Sequence, residues 1–297
     1  MEKLKKILFF GGNIEGYFSL RTLLSLGESL CGIVVPPKQN HWNSLMSDLA
    51  EEYNIPFYRF DINTVEKKMI ESFKSDLILI SSYPHIFPQE IINIPHLGCV
   101  NIHAAILPEY QGKHSLVWAV IEGETEFGVT LHYIDKGIDT GDIIGIKKIK
   151  MSNSNINEIH ISLIPLVCSL IEENLEGIKN KTIKRTTQSK GTHWKPRVPE
   201  DSKIDWSLSS DKINDFIRAL APPWPSAFTY YKGNKIEIIS AYSSPINSIG
   251  GYGVVQEKER GLVISTSEGV IIANRFRFNG RIVNSSELDI EVGDKFD

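Results

Sequence analysis

The chain has 297 residues, 41% of them hydrophobic and 23% charged, with a formal net charge of −4 at pH 7. That length suits two compact domains, and the composition is that of a globular protein and excludes a disordered one. The mildly acidic balance supplies no global basic field to gather a polyanion.

Met1-Glu2-Lys3-Leu4-Lys5-Lys6 leads into a short apolar run, Ile7 to Phe10, too brief for a signal-peptide core or a membrane span. A cytoplasmic location with no membrane partner is expected. The run ends in Gly11-Gly12, and Tyr17, Leu20, Leu23 and Leu24 then recur at helical spacing. The same alternation continues with Leu30 to Val35 as strand, Ser44 to Tyr53 as helix, Pro56 to Phe60 as strand, Val65 to Phe73 as helix and Leu77 to Ser81 as strand. Such alternation predicts a parallel, doubly wound α/β sheet of Rossmann-like type. Gly98 to His103 is the next buried strand, Ser115 to Ile121 a helix, and Gly128 to Ile134 with Ile143 to Ile149 are extended segments closing the sheet. Asn157 to Glu176 reads as one strongly apolar helix kinked at Pro165.

Polar residues and two prolines around Lys195-Pro196-Arg197-Val198-Pro199 mark a linker, so the first domain is assigned to residues 1–190, the linker to 191–207 and a second domain to 208–297. Ser210 to Leu220 is a short helix. Beyond it come short strands at 228–231, 236–241, 253–256, 262–266 and 270–276, separated by turn signals such as Asn279-Gly280, a pattern that predicts a small β-barrel. Cys31, Cys99 and Cys168 sit in apolar segments without metal-ligand spacing and read as buried thiols. The eight histidines form no metal pattern, and no catalytic metal is expected.

The chemistry concentrates in two tracts. Asn101 and His103, two apart in a strand, project from the same face. Asp139 comes from the loop Asp135-Lys136-Gly137-Ile138-Asp139-Thr140-Gly141-Asp142, whose glycines allow a sharp turn against a ligand. An amide, an imidazole and a carboxylate meet the needs of formyl transfer to an amine, which builds a tetrahedral oxyanion and moves a proton from one nitrogen to another. The bland alternative is a strand end whose polar residues cap a loop.

Gly98-Cys99-Val100-Asn101-Ile102-His103, Ile106-Leu107-Pro108-Glu109-Tyr110-Gln111-Gly112, Gly128-Val129-Thr130-Leu131-His132 and Gly137-Ile138-Asp139-Thr140-Gly141-Asp142 resemble, in order and spacing, the folate-dependent formyltransferases. Ile204-Asp205-Trp206 and Ile217-Arg218-Ala219-Leu220 through Trp224-Pro225-Ser226-Ala227-Phe228 are similar to the region joining the two domains of the methionyl-tRNA and amino-sugar members. The resemblance implies a formyltransferase domain followed by an OB-like barrel domain, with 10-formyltetrahydrofolate as donor and Asn101, His103 and Asp139 as catalytic residues. It also implies donor contacts from Tyr83, His85, Ile86, Phe87, Leu107 and Pro108, and from Asp135, Gly137, Ile138 and Asp142. Core packing is the competing reading for Tyr83 and Phe87. His132, alternating in a strand, reads as a structural histidine.

Gly11, Gly12 and Asn13 follow the first strand without a G-x-G-x-x-G pattern, so they read as a tight turn or as backbone amides lining the acceptor pocket. Lys113 and His114 are candidates for a nucleotide phosphate or an amino sugar, with a solvated loop as the alternative. They stand where methionyl-tRNA formyltransferases typically show Ala-Pro. Those relatives also carry a basic loop after the second strand, whereas Pro36 to Asn43 holds a single lysine. The expected acceptor is therefore a nucleotide-linked amino sugar, of the kind used in surface polysaccharides, with methionyl-tRNA as the alternative. Nucleic acid is not expected as a partner, and a homodimer is compatible with the sequence.

Overall fold

In the computed structural model, residues 5–247 and 250–297 are described; the leading Met1 to Leu4, read above as part of the approach to the first strand, lie outside the described residues. The first part of the chain runs β1 (Lys6–Gly11), α1 (Asn13–Ser25), β2 (Ser29–Val35), α2 (His41–Glu52), β3 (Phe57–Arg59), α3 (Lys67–Ser72), β4 (Leu77–Ser81) and α4 (Gln89–Ile92). It continues with β5 (Cys99–His103), β6 (Gln111–Gly112), α5 (Ser115–Glu122), β7 (Glu126–Tyr133), β8 (Ile143–Lys150), α6 (Ile156–Ser162), α7 (Ile164–Lys179) and β9 (His193–Trp194).

Seven of these strands form one sheet in the order β3-β2-β1-β4-β5-β7-β8. It is parallel from β3 through β5, and β7 and β8 are added antiparallel. The central strand β1 has no solvent-accessible side chain from Ile7 to Phe10, as a parallel strand covered on both faces requires. Leu8 and Phe10 pack with Ile70, Ile91 and Ile92 of α3 and α4, whereas Phe9 lies at Gly11 together with Met46 of α2. The strand order reverses between β1 and β4, where the Gly12 amide donates to the Ser81 carbonyl at 3.1 Å. Ligand sites of such sheets lie at the carboxyl ends of the strands, and β5 ends there in His103.

The long apolar helix expected over 157–176 is two helices. Pro165 cannot donate to an i−4 carbonyl, and its ring is tolerated only in a first turn, so α6 stops at Ser162 and α7 begins anew with Pro165 in its opening turn.

The second part of the chain contains α8 (Ser210–Ala219), β10 (Phe228–Tyr231), β11 (Asn234–Ser244), β12 (Val255–Glu257), β13 (Leu262–Ser265), β14 (Val270–Phe278) and β15 (Arg281–Val283). Its sheet is antiparallel, ordered β10-β11-β14-β13-β12 with β15 on β14. Two hairpins close through two-residue turns, Lys232-Gly233 and Asn279-Gly280, with all four φ angles positive, the geometry that matches strand twist and favours Gly and Asn.

The chain forms two compact units from interleaved segments. One gathers the chain up to Ser115, Glu126–Lys150 and Ile161–Trp194; the other gathers Leu116–Thr125, Met151–His160 and Lys195–Asp297. In the second, Arg218 pairs with Asp215 at 2.7 Å and donates to the carbonyls of Ser152 and Ser154, which fastens that segment to α8. A cavity of about 670 Å³ lies in this unit, with Arg218, Tyr242, Arg275 and Arg277 in its wall.

Candidate active site

Asn101 and His103 alternate along β5, and both are half-buried where the intervening Ile102 is buried. Asn101 stands directly opposite His132 in the antiparallel β5–β7 ladder. The Asn101 amide nitrogen lies 3.2 Å from Nε2 of His132, while His132 Nδ1 lies 2.8 Å from the Tyr133 carbonyl. A carbonyl only accepts, so Nδ1 carries the proton and Nε2 accepts from Asn101. Burial, with 1% of His132 exposed, disfavours the imidazolium and pushes its pKa down to about 4, against the opposing pull of Asp139. His132 is thus a neutral acceptor that fixes the roll of the Asn101 amide. The ordinary strand alternation signalled a histidine facing one side of β7; it could not signal the register that places it on Asn101.

His103 Nε2 lies 3.0 Å from the Tyr110 carbonyl and 3.3 Å from Ser115 Oγ. The Ser115 hydroxyl donates to the Gly112 carbonyl at 2.8 Å, so its oxygen accepts from His103. The Nε2 hydrogen is shared between the two acceptors, and a neutral His103 then carries its lone pair on Nδ1. Asp139 closes the cluster: its Oδ2 accepts the Gly112 amide at 2.9 Å, and its carboxylate lies 3.7 Å from Nε2 of both His103 and His132.

The Asp139 loop is built to hold that carboxylate. Asp135 Oδ1 accepts from the Gly137 amide at 2.9 Å and from Thr140 Oγ1 at 2.6 Å, and Asp142 accepts from Thr187 Oγ1 at 2.9 Å. A Cβ at Gly141 would run into the Tyr133 carbonyl, so only glycine lets the loop lie this close to β7.

The formyl transferase family model matches residues 50–160, and the model of the formyl transferase C-terminal domain matches residues 197–288. The methionyl-tRNA formyltransferase of Desulfotalea psychrophila is 30% identical over 292 residues, covering 94% of this chain and 90% of that protein. The chain belongs to the folate-dependent formyltransferase family. A crystal structure of WlaRD, a sugar 3N-formyltransferase with dTDP and 5-N-formyl-THF, matches with a TM-score of 0.70 at 22% identity, over 91% of this chain and 97% of that one. The N-formyltransferase from Helicobacter canadensis in complex with folinic acid and dTDP-3-aminofucose matches with a TM-score of 0.69 at 20% identity, over 91% and 99%. At those identities the likeness is one of fold.

In this formyltransferase most of the other expected site residues fall into three groups, with His85, Lys113 and His114 apart from them. Tyr83 and Phe87 point into the core: the Tyr83 hydroxyl donates to the Phe60 carbonyl at 2.6 Å, and both rings meet Phe10 edge-on. Any donor contact at those two positions is left to the backbone. Leu107 is also buried, with its amide on Thr130 Oγ1, and Pro108 is half-buried with its carbonyl on the Thr192 amide.

Ile86 and Ile138 are the second group, apolar side chains 62% and 43% exposed. His85 sits between the two groups, half-buried with Nδ1 3.0 Å from Asp61.

The third group is the turn after β1. Gly11 and Gly12 are buried, and the Gly12 amide is taken by Ser81. Asn13 is exposed in the left-handed region and accepts from the Asn40 amide at 3.4 Å, while the buried Glu15 accepts from Ser82 Oγ at 2.9 Å. A buried carboxylate in the first turn of α1 makes that helix end a poor seat for phosphate. Lys113 is exposed and His114 half-buried with a positive φ, both beside the Gly112 that holds Asp139. Among the described residues no cluster of three His, Cys, Asp or Glu could hold a metal ion, and no helix is long and apolar enough to cross a membrane.

Proposed function

We propose that Asn101, His103 and Asp139 are the catalytic residues of formyl transfer from 10-formyltetrahydrofolate to the amine of a nucleotide-linked amino sugar. The donor supplies the formyl carbon. Exposed Ile86 and Ile138 offer apolar surface of the kind the faces of a pterin need, and the backbone of 83–87 offers the hydrogen-bonding edge.

One N–H of Asn101 is committed to His132, which aims the other at the oxygen on which negative charge develops. His103, anchored through Nε2, presents Nδ1 as proton carrier. Asp139 takes up, directly or through a water, the proton shed by the attacking amine, and its carboxylate lies 3.7 Å from Nε2 of His103.

The observation that carries the acceptor is the connection between β2 and α2. It consists of residues 36–40, with Lys38 as its one cation, and the Asn40 side chain then caps α2 by accepting from the Asn43 amide. So short a link leaves no room for a basic arm that would grip an acceptor stem, and a net charge of −4 gives no compensating field. Lys113 and His114 supply the local donors that a sugar diphosphate needs.

Methionyl-tRNA is the second reading, favoured by likeness to methionyl-tRNA formyltransferases along nearly the whole chain. The test is release of tetrahydrofolate from the formyl donor with a panel of nucleotide-linked amino sugars and with methionyl-tRNA. Turnover with a sugar is expected, and turnover with methionyl-tRNA alone overturns the acceptor assignment.

A further inference from the structure

After α7 the chain passes through Lys184, Arg185, Thr186 and Thr187, and only Gln188 in this stretch is drawn partly under cover. Its amide nitrogen donates to the Asp139 carbonyl at 2.9 Å and to the Gly141 carbonyl at 2.7 Å, which uses both of its hydrogens. Its amide oxygen accepts from Gln111 Nε2 at 3.2 Å, and that nitrogen also reaches the Asp139 carbonyl, at 3.4 Å.

Gln111 is itself buried and held in register, since β6 pairs with β9 and the Gln111 amide donates to the Thr192 carbonyl at 3.0 Å. The next residue, Gly112, gives its amide to the Asp139 carboxylate. Three residues from two distant stretches therefore converge on Asp139, Gln188 and Gln111 on its backbone oxygen and Gly112 on its side chain.

The convergence matters because Asp139 is a non-glycine residue at φ 56°, a left-handed conformation that a side chain adopts only when its surroundings hold it there. Relaxed to an ordinary φ, the residue would swing its carboxylate away from the Gly112 amide and from both histidines.

We propose that Gln188 is a positioning residue for formyl transfer: by clamping the Asp139 and Gly141 carbonyls it holds Asp139 in its left-handed conformation and so aims the catalytic carboxylate. The proposal rests on the catalytic reading of Asp139 given above. Gln188 touches none of the reacting atoms, and its whole effect passes through Asp139.

Gln188→Met keeps the volume and removes both donors, and Gln188→Glu keeps the shape while turning acceptors toward two carbonyl oxygens. Each is expected to lower kcat by about ten- to a hundred-fold, the range in which small misplacement of a reacting group acts, with the KM for the folate donor within two-fold of wild type. In the Asp139→Asn background the same changes should lower kcat no further, because the residue they position is already disabled. Hydrogen exchange of the unliganded protein supplies a readout apart from activity: amides of residues 135–142 and of Gly112 should exchange faster in Gln188→Met, with other regions unchanged.

Wild-type kcat in both variants, losses that multiply onto that of Asp139→Asn, or unchanged exchange over 135–142 would each overturn the clamp. Full activity in Asp139→Asn by itself would instead overturn the catalytic reading of that carboxylate, and the exchange experiment would still decide whether Gln188 orders the loop.

Discussion

Asn101 and His132 face each other across β5 and β7, and the amide of one donates to the Nε2 of the other at 3.2 Å. Because Nδ1 of the same ring is committed to the Tyr133 carbonyl, the imidazole cannot flip or change tautomer without losing both bonds. Replacing His132 with Phe keeps a ring of similar size but leaves that Asn101 N–H without its acceptor. Turnover is expected to fall by about ten- to a hundred-fold, since the amide proposed to meet the oxyanion is then free to rotate, and the KM for the donor should change little. Steady-state kinetics measure it; a wild-type kcat would mean that Asn101 is aimed without His132.

The same histidine makes stability depend on pH. In the folded protein its pKa is pushed from 6.5 down to about 4 by burial, so between those values the unfolded chain binds more protons than the folded one. Stability from this group is fully present above pH 6.5 and is lost as the pH falls toward 4, by at most ~1.4 kcal/mol per pH unit for one proton. Urea denaturation at pH 7 and pH 5 should show wild type losing more stability than His132→Phe. Parallel losses would remove His132 as the titrating group.

Asn101→Ala removes the proposed oxyanion donor, and Asp139→Asn removes the proposed proton acceptor while keeping the size of the side chain. Loss of one such donor costs on the order of a hundred-fold or more in turnover, and a comparable or larger loss is expected for Asp139→Asn. Binding of the folate donor, followed by fluorescence titration, should stay near wild type in both. Retained turnover in either variant would remove that residue from the catalytic set.

The alternation of strands and helices up to His103 was legible in the sequence because each element there is local: an apolar run, a glycine turn, a helical repeat. So was the shared face of Asn101 and His103, which needs only the period of a strand. The partners of the site are of a different kind. His132 meets Asn101 through an antiparallel register, and Gln188 meets Asp139 because Thr186, two residues earlier in a polar stretch, bridges Ile143; neither pairing has a signature in residue spacing. Tyr83 and Phe87 were ambiguous for a related reason: aromatic residues after a strand fit a ligand wall or a core equally well, and only contact with Phe10 separates the two.

Trp206, from the Ile204-Asp205-Trp206 tract, tests the stability of the second unit independently of the chemistry. Its ring stacks on Phe296 at 5.7 Å between centroids, its Nε1 donates to the buried Thr229 Oγ1 at 3.0 Å, and Gly253 packs against its face. Trp206→Ala removes the ring and the donor together and should destabilise this unit by about 3–5 kcal/mol, the range for deleting a large buried aromatic. Trp206→Phe keeps most of the packing and loses the indole hydrogen bond, so a smaller cost, about 1–3 kcal/mol, is expected. Chemical denaturation followed by hydrogen exchange over 228–283 measures both. Equal costs for the two variants would mean that the Thr229 hydrogen bond, and not the stacked ring, carries the contribution of Trp206.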